Sequence, residues 1–256
     1  MNRQAQQILA MANHLIHSKS RYSVHSPFVY KLITKGLKPG IPAEKAARLD
    51  EFRKKLAKTE AFHSRDLGTG QNRLLNGKAL QNMSVNKWNG RILFNLCRYF
   101  QPENILELGT SAGLSAAYIA FGNPNASLLT IEGCPEKTKI ASGLFRQFYL
   151  KNIDIINSDA AQHFKRLQKD NYRADLIFID ADHSYQGATT FFRQLLPFTH
   201  QDSIMIFDDI YWSKAMTKAW TDIIKHQQVT LSVATLQFGI IFFKAGIQKQ
   251  HFRIRM

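Results

Sequence analysis

Residues 104–122 read NILELGTSAGLSAAYIAFG, and the fold follows from them. Residues 104–109 form a short, almost continuously apolar run broken by Glu107 and closed by Gly109. Such a run belongs in a sheet covered on both faces, as parallel sheets wrapped by helices are. A glycine-bounded turn, Gly109 to Gly113, follows, and then a segment of helical length. Downstream, runs of strand composition at 127–132 (SLLTIE), 153–159 (IDIINSD), 174–181 (ADLIFIDA) and 203–209 (SIMIFDD) alternate with helix-length segments. After a last helix around 212–227, VTLSVATL and FGIIFFKAG are separated by so short a connection that they should pair antiparallel. The expected architecture is a doubly wound α/β sheet, mostly parallel, with an antiparallel hairpin at its end.

Working outward, the first 60 residues read as helices. Ile8, Leu9, Ala12, Leu15 and Ile16 recur at helical spacing. Ser26 and Pro27 offer a cap and a first-turn proline, and Gly36 stands where a glycine would end that segment. Pro42 opens another helix with Ala46, Leu49, Phe52, Arg53 and Leu56 along one side. Residues 63–90 are rich in Gly, Asn and Ser and read as loop, with helix resuming through ILFNLCRYF. The expected division is a helical extension with a loop over 1–82, an α/β domain over 83–246 and a basic tail over 247–256.

Of the 256 residues, 34 are Lys or Arg and 19 Asp or Glu, a formal net charge of +15. Residues 1–85 hold 15 of the basic and 5 of the acidic groups. Two cysteines without a CxxC pattern exclude a disulfide scaffold and a cysteine zinc site, and they suit a reducing compartment. No apolar run approaches the roughly 20 residues that cross a bilayer, and the N-terminus has no signal-peptide core. A soluble cytoplasmic protein without a membrane partner is expected.

In doubly wound sheets the ligand crevice lies beyond the carboxyl ends of the strands. Those ends carry Glu107 with Gly109, Glu132, Asp159, Asp180 with Asp182, and Asp208 with Asp209. Helix caps account for one or two such acids. Five strands each delivering an acid imply something polar or cationic among them, because clustered carboxylates repel. The turn after Gly109 lacks GxGxxG, so a dinucleotide is a poor fit. An acid on the first strand suits an amine, and Glu132 stands where an acid accepts ribose hydroxyls. Adenosine bearing an amino-acid tail, S-adenosylmethionine, meets both demands.

The stretch from Met83 to about Met216 resembles the caffeoyl-CoA and catechol O-methyltransferase group of class I methyltransferases. MSVNKWNGRIL resembles the segment before the first strand, ILELGTSAGLSAAYIA the cofactor loop and LLTIEGCPEKTKIA the ribose-binding strand. ADLIFIDADHSYQG resembles the fourth strand with its metal-binding acid, and IMIFDDIYW the fifth. A second string, DLGTG at 66–70, mimics the cofactor loop but follows no apolar strand.

The resemblance implies a Rossmann-like methyltransferase sheet and assigns roles. Glu107 and Gly109 would face the methionine end of the cofactor with Ser115 nearby, Met83 and Val85 would add backbone contacts, and Glu132 would hold the ribose. Asp159 and Ala160 would sit at the adenine edge. Asp180, Asp208 and Asp209 match the ligands of a divalent metal such as Mg²⁺ or Ca²⁺, Asp180 doubling as a catalytic and cofactor contact. Two positions depart from the pattern. The third ligand is usually Asn but is Asp209 here, and the Lys three residues after the first metal-binding Asp is His183, a more natural base near neutral pH. The implied reaction is O-methylation of a hydroxyl on a small molecule, a catechol or vicinal diol being the natural acceptor, with His183 and Asp180 catalytic. The helical extension would cover the acceptor or form a homodimer contact. Its positive charge motivates a rival reading, a methyltransferase acting on tRNA or another RNA. A third reading is a non-catalytic protein that binds the cofactor. Tyr185, Tyr211 and Trp212 either line the acceptor pocket or pack beneath the N-terminal helices.

Overall fold

The computed structural model describes residues 3–38, 40–65 and 72–255, so the DLGTG string at 66–70 lies outside the described residues. In chain order the elements are α1 (Arg3–His17), α2 (Pro27–Lys31), α3 (Ala43–Ala57), β1 (Phe62–Arg65), β2 (Asn72–Leu75), α4 (Gly77–Met83) and α5 (Lys87–Phe100). The repeating part continues with β3 (Asn104–Leu108), α6 (Leu114–Gly122), β4 (Ser127–Glu132), α7 (Pro135–Gln147), β5 (Ile153–Asn157), α8 (Ala160–Lys169), β6 (Leu176–Ile179) and α9 (Tyr185–Leu195). It closes with β7 (Ile204–Phe207), α10 (Lys214–Ile223), β8 (Leu231–Ala234), β9 (Gly239–Phe242) and β10 (Gln250–Arg253). Short polar side chains start many of these helices by accepting an orphan backbone N–H. Asn76 accepts from Ala79, Asn86 from Asn89, Ser184 from Gly187 and Ser213 from Met216.

The chain separates into two compact units, one of residues 35–163 and one built from the described parts of 1–34 and 164–256. In the first, β3, β4 and β5 run parallel in that order. Every residue of α6 is buried, which explains why its sequence is apolar all round. In the second unit the strand order is β10-β8-β9-β7-β6. There β6 and β7 are parallel and buried throughout, while β9 returns antiparallel to both β7 and β8. The α/β class, the parallel pairs and the terminal antiparallel hairpin are those expected. Among the described residues no helix is long and apolar enough to cross a membrane.

Three expectations about local structure are corrected. Residues 63–90, read as loop, contain most of the β1–β2 hairpin, whose register pairs Phe62 with Leu75, as well as α4 and the start of α5. Of the Asn residues taken as loop formers, Asn76 and Asn86 serve instead as caps, and Asn89-Gly90 lie inside α5. Gly36 does not end its helix: Ser26 and Pro27 start α2 as expected, but the chain continues as a π-helical segment from Leu32 to Leu37. Residues 250–253 of the basic tail form β10, paired in parallel with β8 and held by the buried Ile254 beyond it.

Candidate active site

In the unit of residues 35–163, acids stand at or near the carboxyl ends of three parallel neighbours: Glu107 within β3, Glu132 closing β4 and Asp159 after β5. Glu107 on β3 is opposite Thr130 on β4, whose hydroxyl donates to Glu107 Oε2 at 2.5 Å. Ser115, the second residue of α6, also hydrogen-bonds this carboxylate. The residue is wholly buried, yet Oε1 has no hydrogen-bond partner. Burial, the largest influence, pushes the Glu107 carboxyl up to about 7; the Ser115 and Thr130 donors oppose this, and the charge of Glu132 adds to it. An unsatisfied buried acceptor costs about 1–3 kcal/mol. An ammonium group would supply both the missing donor and the charge that holds the carboxylate ionised, so the site fits the amino-acid end of S-adenosylmethionine.

The turn after β3 is wound by three residues in the left-handed region, Gly109 at φ +90°, Ser111 at φ +48° and Gly113 at φ +82°. At Gly113 a Cβ would also lie 2.5 Å from the Phe145 ring, so both conformation and space require glycine there. Glu132, the last residue of β4, straps this turn to the next. Its Oε2 accepts from Ser111 N and its Oε1 from Cys134 N, each at 2.8 Å. Each oxygen keeps a second lone pair, the number that two ribose hydroxyls would use.

The remaining expected cofactor residues carry structural duties. Asp159 is exposed, and its Oδ1 accepts from Ala161 N at 2.9 Å and Gln162 N at 3.3 Å, so it caps α8, which opens at Ala160. Met83 ends α4 and is 56% exposed. The carbonyl of the buried Val85 accepts from Arg53 Nη2 at 2.5 Å. Arg53 also lies 5.6 Å from the centroid of the Tyr118 ring, so a cation that the sequence placed merely along a helix face is buried beside the expected cofactor residues.

The second unit holds the other group. Asp180 follows β6, and Asp208 and Asp209 follow β7. Asp208 N donates to Ile179 O at 2.9 Å, which continues the β6–β7 ladder by one bond. Asp209 adopts φ +54°, a conformation Asp tolerates better than most residues, and its N–H donates to Asp208 Oδ1 at 2.8 Å. His183 Nε2 lies 3.5 Å from Asp180 Oδ1 and 3.9 Å from Asp209 Oδ2. Gln237, in the β8–β9 connection, donates through Nε2 to Asp208 Oδ1 at 2.7 Å and Asp209 Oδ1 at 2.5 Å. Burial raises the Asp208 carboxyl well above its usual range, with the charges of Asp180 and Asp209 reinforcing it and the donors from Gln237 and Asp209 N opposing. Asp182, at φ +44°, packs against Gly187, where a Cβ would meet its carboxylate at 2.2 Å.

The three aspartates expected to hold a divalent cation are therefore near one another, but Oδ1 of Asp208, both oxygens of Asp209 and Oδ1 of Asp180 face nitrogens of Gln237 or His183. Among the described residues no group of three or more His, Cys, Asp or Glu side chains is arranged to hold a metal ion. As they stand, they do not fit the ion. Gln237 gave no signal in the sequence reading. The antiparallel return of β9, which sets Gly239 opposite Phe207, is what brings it beside the acids.

Of the three aromatics with two readings, Tyr211 and Trp212 pack against α1. His14 Nδ1 accepts from Tyr211 Oη at 2.9 Å while its Nε2–H donates to Ile254 O at 3.0 Å, and the Arg3 guanidinium lies 4.1 Å from the centre of the Trp212 ring. Tyr185 instead donates to Asp222 Oδ2 at 3.1 Å. His25 and His63 are exposed and Cys97 is buried.

A model of the O-methyltransferase family matches residues 69–239. A catechol O-methyltransferase of Niastella koreensis is 30% identical over 131 residues, 50% of this chain and 58% of that protein. The chain spans about half the length of the curated relatives it matches. An O-methyltransferase from Bacillus cereus solved in complex with SAH superposes with a TM-score of 0.60 at 18% identity, over 84% of this chain and 97% of that one. The O-methyltransferase TomG from Streptomyces achromogenes, solved in complex with SAM, gives 0.58 at 14%, over 85% and 96%. These two likenesses establish the fold.

Proposed function

The chain belongs to the O-methyltransferase family, and on that premise we propose that it transfers the methyl group of S-adenosylmethionine to a hydroxyl of a small molecule. The observation that carries the cofactor assignment is the unpartnered Oε1 of the wholly buried Glu107. The cofactor, when bound, supplies an electrophilic methyl group on a sulfonium.

The chain's own residues do the rest. Glu107 receives the amine, Glu132 receives ribose hydroxyls while bracing the Ser111 turn, and the left-handed glycines let a ligand approach the backbone. Met83 and Val85 flank the methionine end, Ser115 fixes the Glu107 carboxylate, and Asp159 with Ala160 borders the adenine. His183 takes the acceptor's proton at a ring nitrogen, and Asp180 and Asp209, each within 4 Å of its Nε2, stabilise the imidazolium that forms. Removing that proton makes the hydroxyl a competent nucleophile, and alignment for in-line attack supplies several kcal/mol. No step passes through a metal. The catechol-like acceptor rests on the similarity to the Niastella protein.

The test is methyl transfer from labelled cofactor to a panel of small catechols and diols, in wild type and His183→Ala. The expected result is turnover in wild type that moderate salt leaves unchanged. In the variant kcat should fall about 10²–10⁴-fold, the range for a lost general base, with cofactor affinity retained. Turnover of RNA alone, weakening steeply with salt, would replace the small-molecule acceptor. An unchanged rate in His183→Ala would remove the proposed base.

A further inference from the structure

We infer that Gln237 takes the place of a divalent cation in the aspartate cluster, so that methyl transfer in this protein runs without metal. The inference rests on the proposed O-methyl transfer for its functional meaning and on the geometry of one unit for its substance.

Three carboxylates at the ends of two adjacent strands need compensating positive or donor groups, or they drive one another apart. A bound Mg²⁺ or Ca²⁺ would take their oxygens at about 2.0–2.6 Å. Here the space facing Asp208 Oδ1 and Asp209 Oδ1 holds the Gln237 amide nitrogen, 2.7 and 2.5 Å away. Its two N–H groups suffice for one bond to each aspartate. An ion bound to the same two oxygens would collide with it. The other oxygen of Asp209 and Oδ1 of Asp180 face His183. Gln237 thus bridges Asp208 and Asp209 by hydrogen bonds, and His183 lies within 4 Å of Asp209 and Asp180.

The backbone of Gln237 is anchored as well: its main-chain carbonyl accepts from Ile210 N and its main-chain N–H donates to Thr235 Oγ1, each at 3.3 Å. The buried Thr235 hydroxyl also accepts from Phe238 N at 2.8 Å, and Phe238 is wholly buried. The same residue therefore grips the turn after β7 through main chain and side chain together. That makes Gln237 a positioning residue: it fixes Asp209, and through Asp209 the imidazole that would take the proton. Side-chain chemistry sets the direction of the test. Glutamate at this position would remove both donors and add a fourth carboxylate, the composition of a hard-cation site.

The experiment is a titration with Mn²⁺ alone, followed by the paramagnetic resonance of the free ion, on the full chain and on Gln237→Glu and Gln237→Met. Wild type should show no saturable binding below about 1 mM, and EDTA should leave both SAH binding and methyl transfer unchanged. Gln237→Glu should acquire a saturable Mn²⁺ site. Gln237→Met should lose of the order of 10²-fold in kcat, the scale of a misplaced catalytic group, with SAH affinity unchanged. Saturable Mn²⁺ binding by wild type that Asp208→Asn abolishes would overturn the inference. So would transfer that EDTA stops and Mg²⁺ restores. The Mn²⁺ titration of wild type needs neither turnover nor a folded variant. Failure of methyl transfer with SAH still bound would defeat the proposed function and leave that titration decisive for Gln237.

Discussion

At Glu107 the demands of folding and of binding oppose each other, and a single substitution separates them. The carboxyl's ordinary value is 4.5, and burial in the fold raises it to about 7. Between those values the folded chain holds a proton that the unfolded chain has released. This stabilisation is complete below about 4.5 and is lost as pH rises through 7. At pH 8 the buried carboxylate is a cost, at 1.36 kcal/mol per pKa unit a matter of about 3 kcal/mol. Glu107→Gln removes it, so the ligand-free variant should be more stable than wild type at pH 8, with the difference shrinking by pH 5, while SAH binding is lost. Equal or lower stability at pH 8 in chemical denaturation would show that the buried charge is compensated in some other way. Glu107 was legible in the sequence because an acid in an otherwise apolar run has few structural explanations. Asp159 was equally visible, yet it caps a helix, a duty that its position just before a helix also permits. Gln237 was not legible, because an amide acquires its role only from what a returning strand sets opposite it.

At the scale of elements, α1 is tied to its unit by polar contacts while most of its large apolar side chains stay exposed. Ile8, Leu9, Leu15 and Ile16 are exposed, while His14 is buried between Tyr211 and the Ile254 carbonyl. Burial lowers the His14 value below its ordinary 6.5; the bond to Ile254 opposes this and the charge of Arg253 adds to it. The unfolded chain therefore takes up a proton first as pH falls. The stability that His14 contributes is present above about 6.5 and is lost below it. Amide exchange across Arg3–His17 should accelerate when pH drops from 7.5 to 5.5, after correction for intrinsic rates. His14→Ala should remove this pH dependence and destabilise α1 by about 1–3 kcal/mol. Exchange in α1 that ignores both changes would show that other contacts hold the helix. The helical pattern of α1 was readable from spacing, but spacing alone does not say which way an apolar stripe faces, and Ile8, Leu9, Leu15 and Ile16 are exposed. The central strands were readable because burial on both faces writes itself as unbroken apolar runs. The β1–β2 hairpin and β10, short and largely exposed at β2 and β10, leave no such mark.

For the molecule as a whole, the residues proposed to hold the cofactor, Asp180 excepted, belong to the unit of residues 35–163, and the aspartates with His183 and Gln237 to the other. Substitutions should divide accordingly: those at Glu107 act on cofactor affinity, those at His183 and Gln237 on the rate of transfer. The net charge of +15 concerns encounter with anionic molecules rather than the fold, and the family match and the buried glutamate speak for a cofactor with an amine. The most direct measurement is a calorimetric titration of the purified chain with S-adenosylhomocysteine at pH 8. The account predicts saturable binding with a Kd of about 1–100 μM that Glu107→Gln abolishes. A folded wild-type chain that gives no saturable heat up to millimolar ligand would contradict it.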